Sequence, residues 1–158
     1  MTADPVTIEL VTAPSEDARV LVGELEEILA AEYPPEQRHG LTLDAIFKPN
    51  MRFFIARVAG VPAGCGGVAL FTDFAEVKRM YVRETARGRG VAPALLAQIE
   101  RAARDAGLTL LRLETGTRQI AALRFYEREG FRVCAVFGDY ATMAPHSIAT
   151  SVFMEKRL

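Results

Sequence analysis

Hydrophobic and polar positions alternate with period two over "VTIELV" (6–11), the pattern of a half-buried strand. Pro14 and Ser15 then open a helix, with Glu16 and Asp17 in its first turn where they suit the dipole. Leu21, Leu25, Ile28 and Leu29 give it an apolar face, and the prolines at 34 and 35 end it near Tyr33. A short second helix is predicted around "LTLDAIF" (41–47), ended by "KPN". Three strands are predicted next, "MRFFIARV" (51–58), "GCGGVALF" (64–71) and "AEVKRMYV" (75–82); links as short as "AGVP" and "TD" force an antiparallel meander.

After Val82 the period changes to 3.6. Ala92, Leu95, Leu96, Ile99, Ala102, Ala103 and Ala106 fall on one helical face, with Gln98, Arg101, Arg104 and Asp105 on the other. Gly107 ends this helix, and "LTLLRLE" (108–114) reads as a strand. A strand, a long helix and a strand in this order make a crossover, so the strands at 75–82 and 108–114 are expected to be parallel and close. A further helix, "QIAALRFYERE" (119–129), ends at Gly130; strands "FRVCAVF" (131–137) and "SVFMEKRL" (151–158) flank the loop "GDYATMAPHSIAT".

Composition narrows the classes. Over 158 residues, half hydrophobic and a quarter charged, one domain spanning 1–158 is the expectation. A net charge of −1 supplies no long-range attraction for nucleic acid or an anionic membrane, so any anion site must be local. The N-terminus has no targeting pattern and no apolar run approaches a membrane span, which points to a cytoplasmic protein. Cys65 and Cys134 lack metal-ligand spacing and read as buried, reduced thiols; no metal is expected.

The stretch "RGRGVAPALL" (87–96) stands where a strand hands over to a helix. Backbone N–H groups in such a loop have no intrahelical acceptor, and their dipoles converge at the helix N-terminus, forming an anion site. Gly88 and Gly90 keep side chains away from those donors and permit unusual backbone angles; Arg87 and Arg89 add positive charge at the rim. A P-loop would need Gly-x-x-x-x-Gly-Lys-Ser/Thr, which is absent, and a Rossmann fingerprint would need a glycine where Pro93 stands.

Arg87, Gly90 and Ala92 match the Arg/Gln-x-x-Gly-x-Gly/Ala signature of the GCN5-related N-acetyltransferase (GNAT) superfamily, which a helix follows there as here. "EVKRMYV" resembles the strand before that signature, and "QIAALRFYEREGF" resembles a later segment of the family that ends in Gly-Phe. The resemblance implies an α/β fold with a mixed, mostly antiparallel sheet of about seven strands, a splayed parallel pair and about four flanking helices. It also implies acetyl-CoA as cosubstrate, wedged in the splay. The pyrophosphate would sit on the N–H groups of Gly88, Arg89, Gly90, Val91 and Ala92, and backbone groups along Met80, Tyr81 and Val82 would pair with the pantetheine arm. Pro93 departs from the pattern by removing one donor, a change a first helical turn tolerates. Gln119 stands where the family commonly has an asparagine on that arm.

The implied chemistry is acetyl transfer from a thioester to a primary amine of a small molecule, amino acid or peptide. Such an amine is almost wholly protonated at neutral pH, so a base must accept its proton. Glu76 holds the place where some family members carry a glutamate base, although it could equally pair with Lys78 on the same strand face. Glu114 and a water-mediated route are the alternatives. Tyr126 matches the family tyrosine that protonates the leaving thiolate. The acceptor would enter between the loops "EYPPEQRHG" and "GDYATMAPHSIAT", whose polar candidates are Arg38, His39, Asp139, Tyr140 and His146. Arg79 and Arg112 could pair with a carboxylate of the acceptor or with Glu76 and Glu114. A non-catalytic acyl-CoA sensor is the alternative function, disfavoured by the presence of both Tyr126 and a strand carboxylate. A homodimer through the last strand and helix faces stays open.

Overall fold

Ser15 caps the first helix as its position predicts: its Oγ accepts from the Ala18 N–H at 3.1 Å, and α1 (Glu16–Glu32) runs until Tyr33 turns extended ahead of Pro34. The computed structural model describes residues 4–158; residues 1–3, at the start of the stretch read for a targeting signal, lie outside it. β1 (Val6–Val11) leads into α1, and β2 (Met51–Val58), β3 (Val61–Leu70) and β4 (Ala75–Val82) form the expected antiparallel meander. The crossover follows as α2 (Val91–Asp105) and β5 (Leu110–Gly116), then α3 (Ile120–Arg128), β6 (Arg132–Val133) and β7 (Ser151–Arg157). One sheet holds the seven strands in the order β1-β2-β3-β4-β5-β7-β6, and its single parallel pair among the described residues is β4 with β5.

The middle of the sheet is covered on both sides, which explains why "FFIA" is apolar at every position. Phe53 and Ile55 pack with Ala18, Leu21 and Val22 of α1, whereas Phe54 and Ala56 pack with Leu95, Leu96, Ile99 and Ala103 of α2. The residues of α3 join the α2 side through Ala122, Leu123, Phe125 and Tyr126. No described helix is long and apolar enough to cross a membrane.

Three expectations are corrected. The helix expected at 41–47 is only a 3-10 turn, Ala45–Phe47, because "LTLD" has too few residues before Lys48-Pro49 to nucleate a stable helix. This leaves three α-helices among the described residues where about four were expected. The strand expected at 131–137 pairs only at Arg132 and Val133: Val133 is exposed at the sheet edge, and Phe137 leaves the ladder to pack with Tyr140 and Phe153. Cys134, in that segment, is half-buried, while Cys65 is buried as expected.

Candidate active site

β4 and β5 touch in register only at Ala75–Leu111 and Glu76–Arg112. Beyond Glu76 they separate, so the β5-facing edge of Val77–Val82 has no strand partner although it lies mid-sheet. A bulge contributes to the divergence. Cys65 pairs with Tyr81 but Gly67 with Lys78, so β4 carries one extra residue, and Arg79 takes φ +54° to accommodate it. The bulge resets the side-chain alternation. Val77, Met80 and Val82 turn to the α2 side, while Tyr81 turns to the α1 side, where its hydroxyl donates to Glu24 at 2.9 Å. An unpaired internal edge is a template for an extended ligand.

The loop at the far end of this edge is open. The Arg87 N–H donates to Glu84 O at 3.2 Å and the Ala94 N–H to Gly90 O at 3.2 Å. Between them the N–H groups of Gly88, Arg89, Gly90, Val91 and Ala92 have no backbone acceptor among the described residues, and Pro93 has no N–H. Gly88 and Gly90 sit at φ +77° and +80° with open space where a Cβ would project, so backbone conformation is what demands glycine there. The α2 dipole adds its positive end, and Arg87 and Arg89 are exposed at the rim.

At the near end, the splay opens into a cavity of about 150 Å³ lined by Glu76, Met80, Glu114, Gln119, Tyr126 and Tyr140, all singled out in the sequence. The loop residues Arg38 and His39 complete the wall facing α1. The two acceptor loops do meet: Gln37 Nε2 donates to His146 O at 3.1 Å, and His39 Nε2 lies 2.7 Å from Ser147 O.

Glu76 is buried with two donors on one oxygen. Lys78 Nζ donates to its Oε2 at 3.2 Å and Tyr140 Oη donates to the same oxygen at 2.7 Å, while Lys78 Nζ also reaches Tyr140 Oη at 2.9 Å. Glu114 has one side-chain donor, Ser151 Oγ at 2.7 Å, and burial raises its pKa above the ordinary carboxylate value. Tyr126 is buried on α3, and burial alone holds its phenol well above the ordinary value, so it stays protonated at neutral pH. Arg112 turns to Glu155 at 3.4 Å and stacks over Phe74 and Phe137, which takes it away from Glu76, Glu114 and any acceptor.

Two contacts carried no sequence signal, although Tyr140 itself stood among the loop candidates. Tyr140 joins Glu76 from 64 residues away, and the phenol of Tyr33 accepts from the Arg118 N–H at 2.9 Å, bracing the turn before α3. The remaining loop candidates, Asp139 and His146, stay exposed; His146 faces Glu36 at 3.2 Å.

The profile of the acetyltransferase (GNAT) family matches residues 22–131. The chain is 43% identical to the IAA acetyltransferase of Azospirillum brasilense, over 92% of this chain and 94% of that one. It is 34% identical to the uncharacterized N-acetyltransferase YsnE of Bacillus subtilis (strain 168), over 87% and 90% of the two chains. A GNAT family acetyltransferase from Elizabethkingia anophelis, crystallised with acetyl-CoA bound, shares the fold at TM-score 0.69 and 19% identity, covering 97% of this chain and 98% of that one. The chain therefore belongs to the acetyltransferase (GNAT) family and is an acyltransferase.

Proposed function

We propose that the protein transfers an acetyl group from acetyl-CoA to a primary amine of a small molecule, amino acid or peptide by direct attack on the thioester. The observation that carries this reading is the cleft itself: an unpaired internal strand edge leads from five open N–H groups to a cavity holding a carboxylate and a protonated phenol. The residues fit the cosubstrate at both ends. The loop from Gly88 to Ala92 suits a pyrophosphate, and Met80, Tyr81 and Val82 offer backbone to an extended amide-bearing arm that Gln119 can also reach from the start of α3. The acetyl-CoA in the fold relative from Elizabethkingia anophelis and the name of the Azospirillum relative support the choice of acyl group.

Of the two carboxylates, Glu114 takes the base role. Glu76 is committed to two donors on Oε2, and its task is to hold Lys78 and Tyr140 in the cavity wall. Burial makes Glu114 a stronger base than an ordinary carboxylate. The ammonium gives one proton to Glu114, the freed amine nitrogen bonds to the thioester carbonyl carbon, the carbon–sulfur bond breaks as the sulfur takes the proton of Tyr126, and the second proton shed by the nitrogen as it becomes an amide returns to the Tyr126 phenolate. Calorimetric titration with acetyl-CoA, followed by thiol release against a panel of amines, tests the reading. Binding with amine-dependent release is expected. Absence of binding would overturn it.

A further inference from the structure

Arg38 is the least satisfied cation in the cavity wall. Its guanidinium has only Glu26, 3.6 Å away and too far for a hydrogen bond, and its Nε is buried without a partner. The neighbours on either side are fixed. Gln37 is tied to His146 O and, at 3.3 Å, to Thr150, and His39 is tied to Ser147 O. The loop is thus pinned at 37 and 39 while the side chain between them is left short of acceptors.

Behind Arg38 stands Arg79, the residue of the bulge, whose side chain is 4% exposed. Its Nε donates to Leu41 O at 2.9 Å, another nitrogen pairs with the same Glu26, and its Nη1 is buried with no partner. Gly40 makes room for it, since a Cβ there would fall 2.1 Å from the guanidinium carbon. Arg38 Nε and Arg79 Nη1 are the two orphaned buried side-chain atoms among the described residues, and both residues line the same cavity. Two positive charges share one half-exposed carboxylate. A buried donor on a charged group without an acceptor is costly and calls for a ligand that supplies one.

We infer that the amine acceptor carries a carboxylate and that Arg38, backed by Arg79, recognises it, which makes the acceptor class small amino acids and related amino-carboxylates. The inference rests on the transfer reading above. A carboxylate offers two oxygens in a plane, the geometry a guanidinium fork matches, and Glu114 in the same cavity is left to receive the ammonium end. A cavity of about 150 Å³ suits a compact molecule of this kind.

The test is steady-state thiol release with acetyl-CoA and matched acceptors, each amino acid beside its decarboxylated amine and its carboxamide. The expected result is a kcat/KM at least about tenfold higher for the acids. Arg38→Gln should raise KM for the acids by a similar factor at unchanged kcat, leave the decarboxylated amines untouched, and keep acetyl-CoA binding and the melting temperature of the parent. Arg38→Lys should restore part of the preference. Equal use of acids and decarboxylated amines by the parent overturns this inference while leaving acetyl transfer standing, as does an Arg38→Gln effect equal on both. Thiol release from no member of the panel overturns the transfer to small amines and this inference with it.

Discussion

Glu76 and Glu114 are the same side chain in two surroundings, and the surroundings assign the work. Glu76 is tied by two donors on Oε2 into the cavity wall; Glu114 has one side-chain donor, Ser151, and its burial raises its pKa. The acid limb of kcat/KM should therefore lie above the ordinary 4.5 of a glutamate, with activity gained as pH rises through the raised value. Glu114→Gln should remove that limb and cost about 10²-fold or more in kcat; Glu76→Gln should keep the limb. A limb that survives in Glu114→Gln and disappears in Glu76→Gln would reverse the assignment. The sign for stability is the opposite one. A raised carboxylate contributes stability that is lost as pH climbs from 4.5 through the folded value, so Glu114→Gln, whose amide oxygen can still accept from Ser151, should melt higher than the parent at neutral pH.

Tyr126 is tested on the same scale. Its shift has burial as its one cause, with no hydrogen bond contributing, so the hydroxyl adds little to folding. Tyr126→Phe should bind acetyl-CoA and melt as the parent does while losing roughly 10²-fold in turnover. Turnover equal to the parent's would remove the acid role.

Among the elements, those with a long period were legible and those set by tertiary contacts were not. α2 showed seven apolar positions on one face and β2 to β4 had unambiguous turns between them, so both appear where the pattern puts them. The bulge at Arg79 was hidden, because "AEVKRMYV" alternates well enough to read as an unbroken strand. That hidden residue decides which side chains face the cavity. The early end of β6 was hidden too: aromatic packing of Phe137 with Tyr140 and Phe153 draws the chain off the sheet edge and into the 3-10 turn Gly138–Thr142, and that turn delivers Tyr140 to Glu76. The loop before α2 was the most legible part, since two glycines at positive φ announce themselves. Gly90→Glu places a charge and a strained backbone on the open donors. It should abolish acetyl-CoA binding in calorimetry while the protein still folds, because nothing lies within 4 Å of the new Cβ. Binding unchanged in this variant would move the anion site elsewhere.

For the whole molecule, the two register pairs between β4 and β5 are a weak seam in a sheet whose other neighbours among β1 to β5 and β7 pair over six or more positions. A ligand that pairs with the free edge of β4 and sits against Gln119 and Tyr126 on α3 would bridge that seam. Its binding should then be felt as rigidity on both sides, beyond simple mass action, which at 100 times Kd adds about 2.7 kcal/mol. Amide exchange is the suited probe, since it resolves local opening from global unfolding. On addition of acetyl-CoA, protection should rise at Val77–Val82, at 88–92, and at the start of α3, with little change in β1 and β2, which are already paired or covered. If protection rises only at 88–92, the nucleotide end alone is held, and the unpaired edge of β4 is not where the acyl-bearing arm runs.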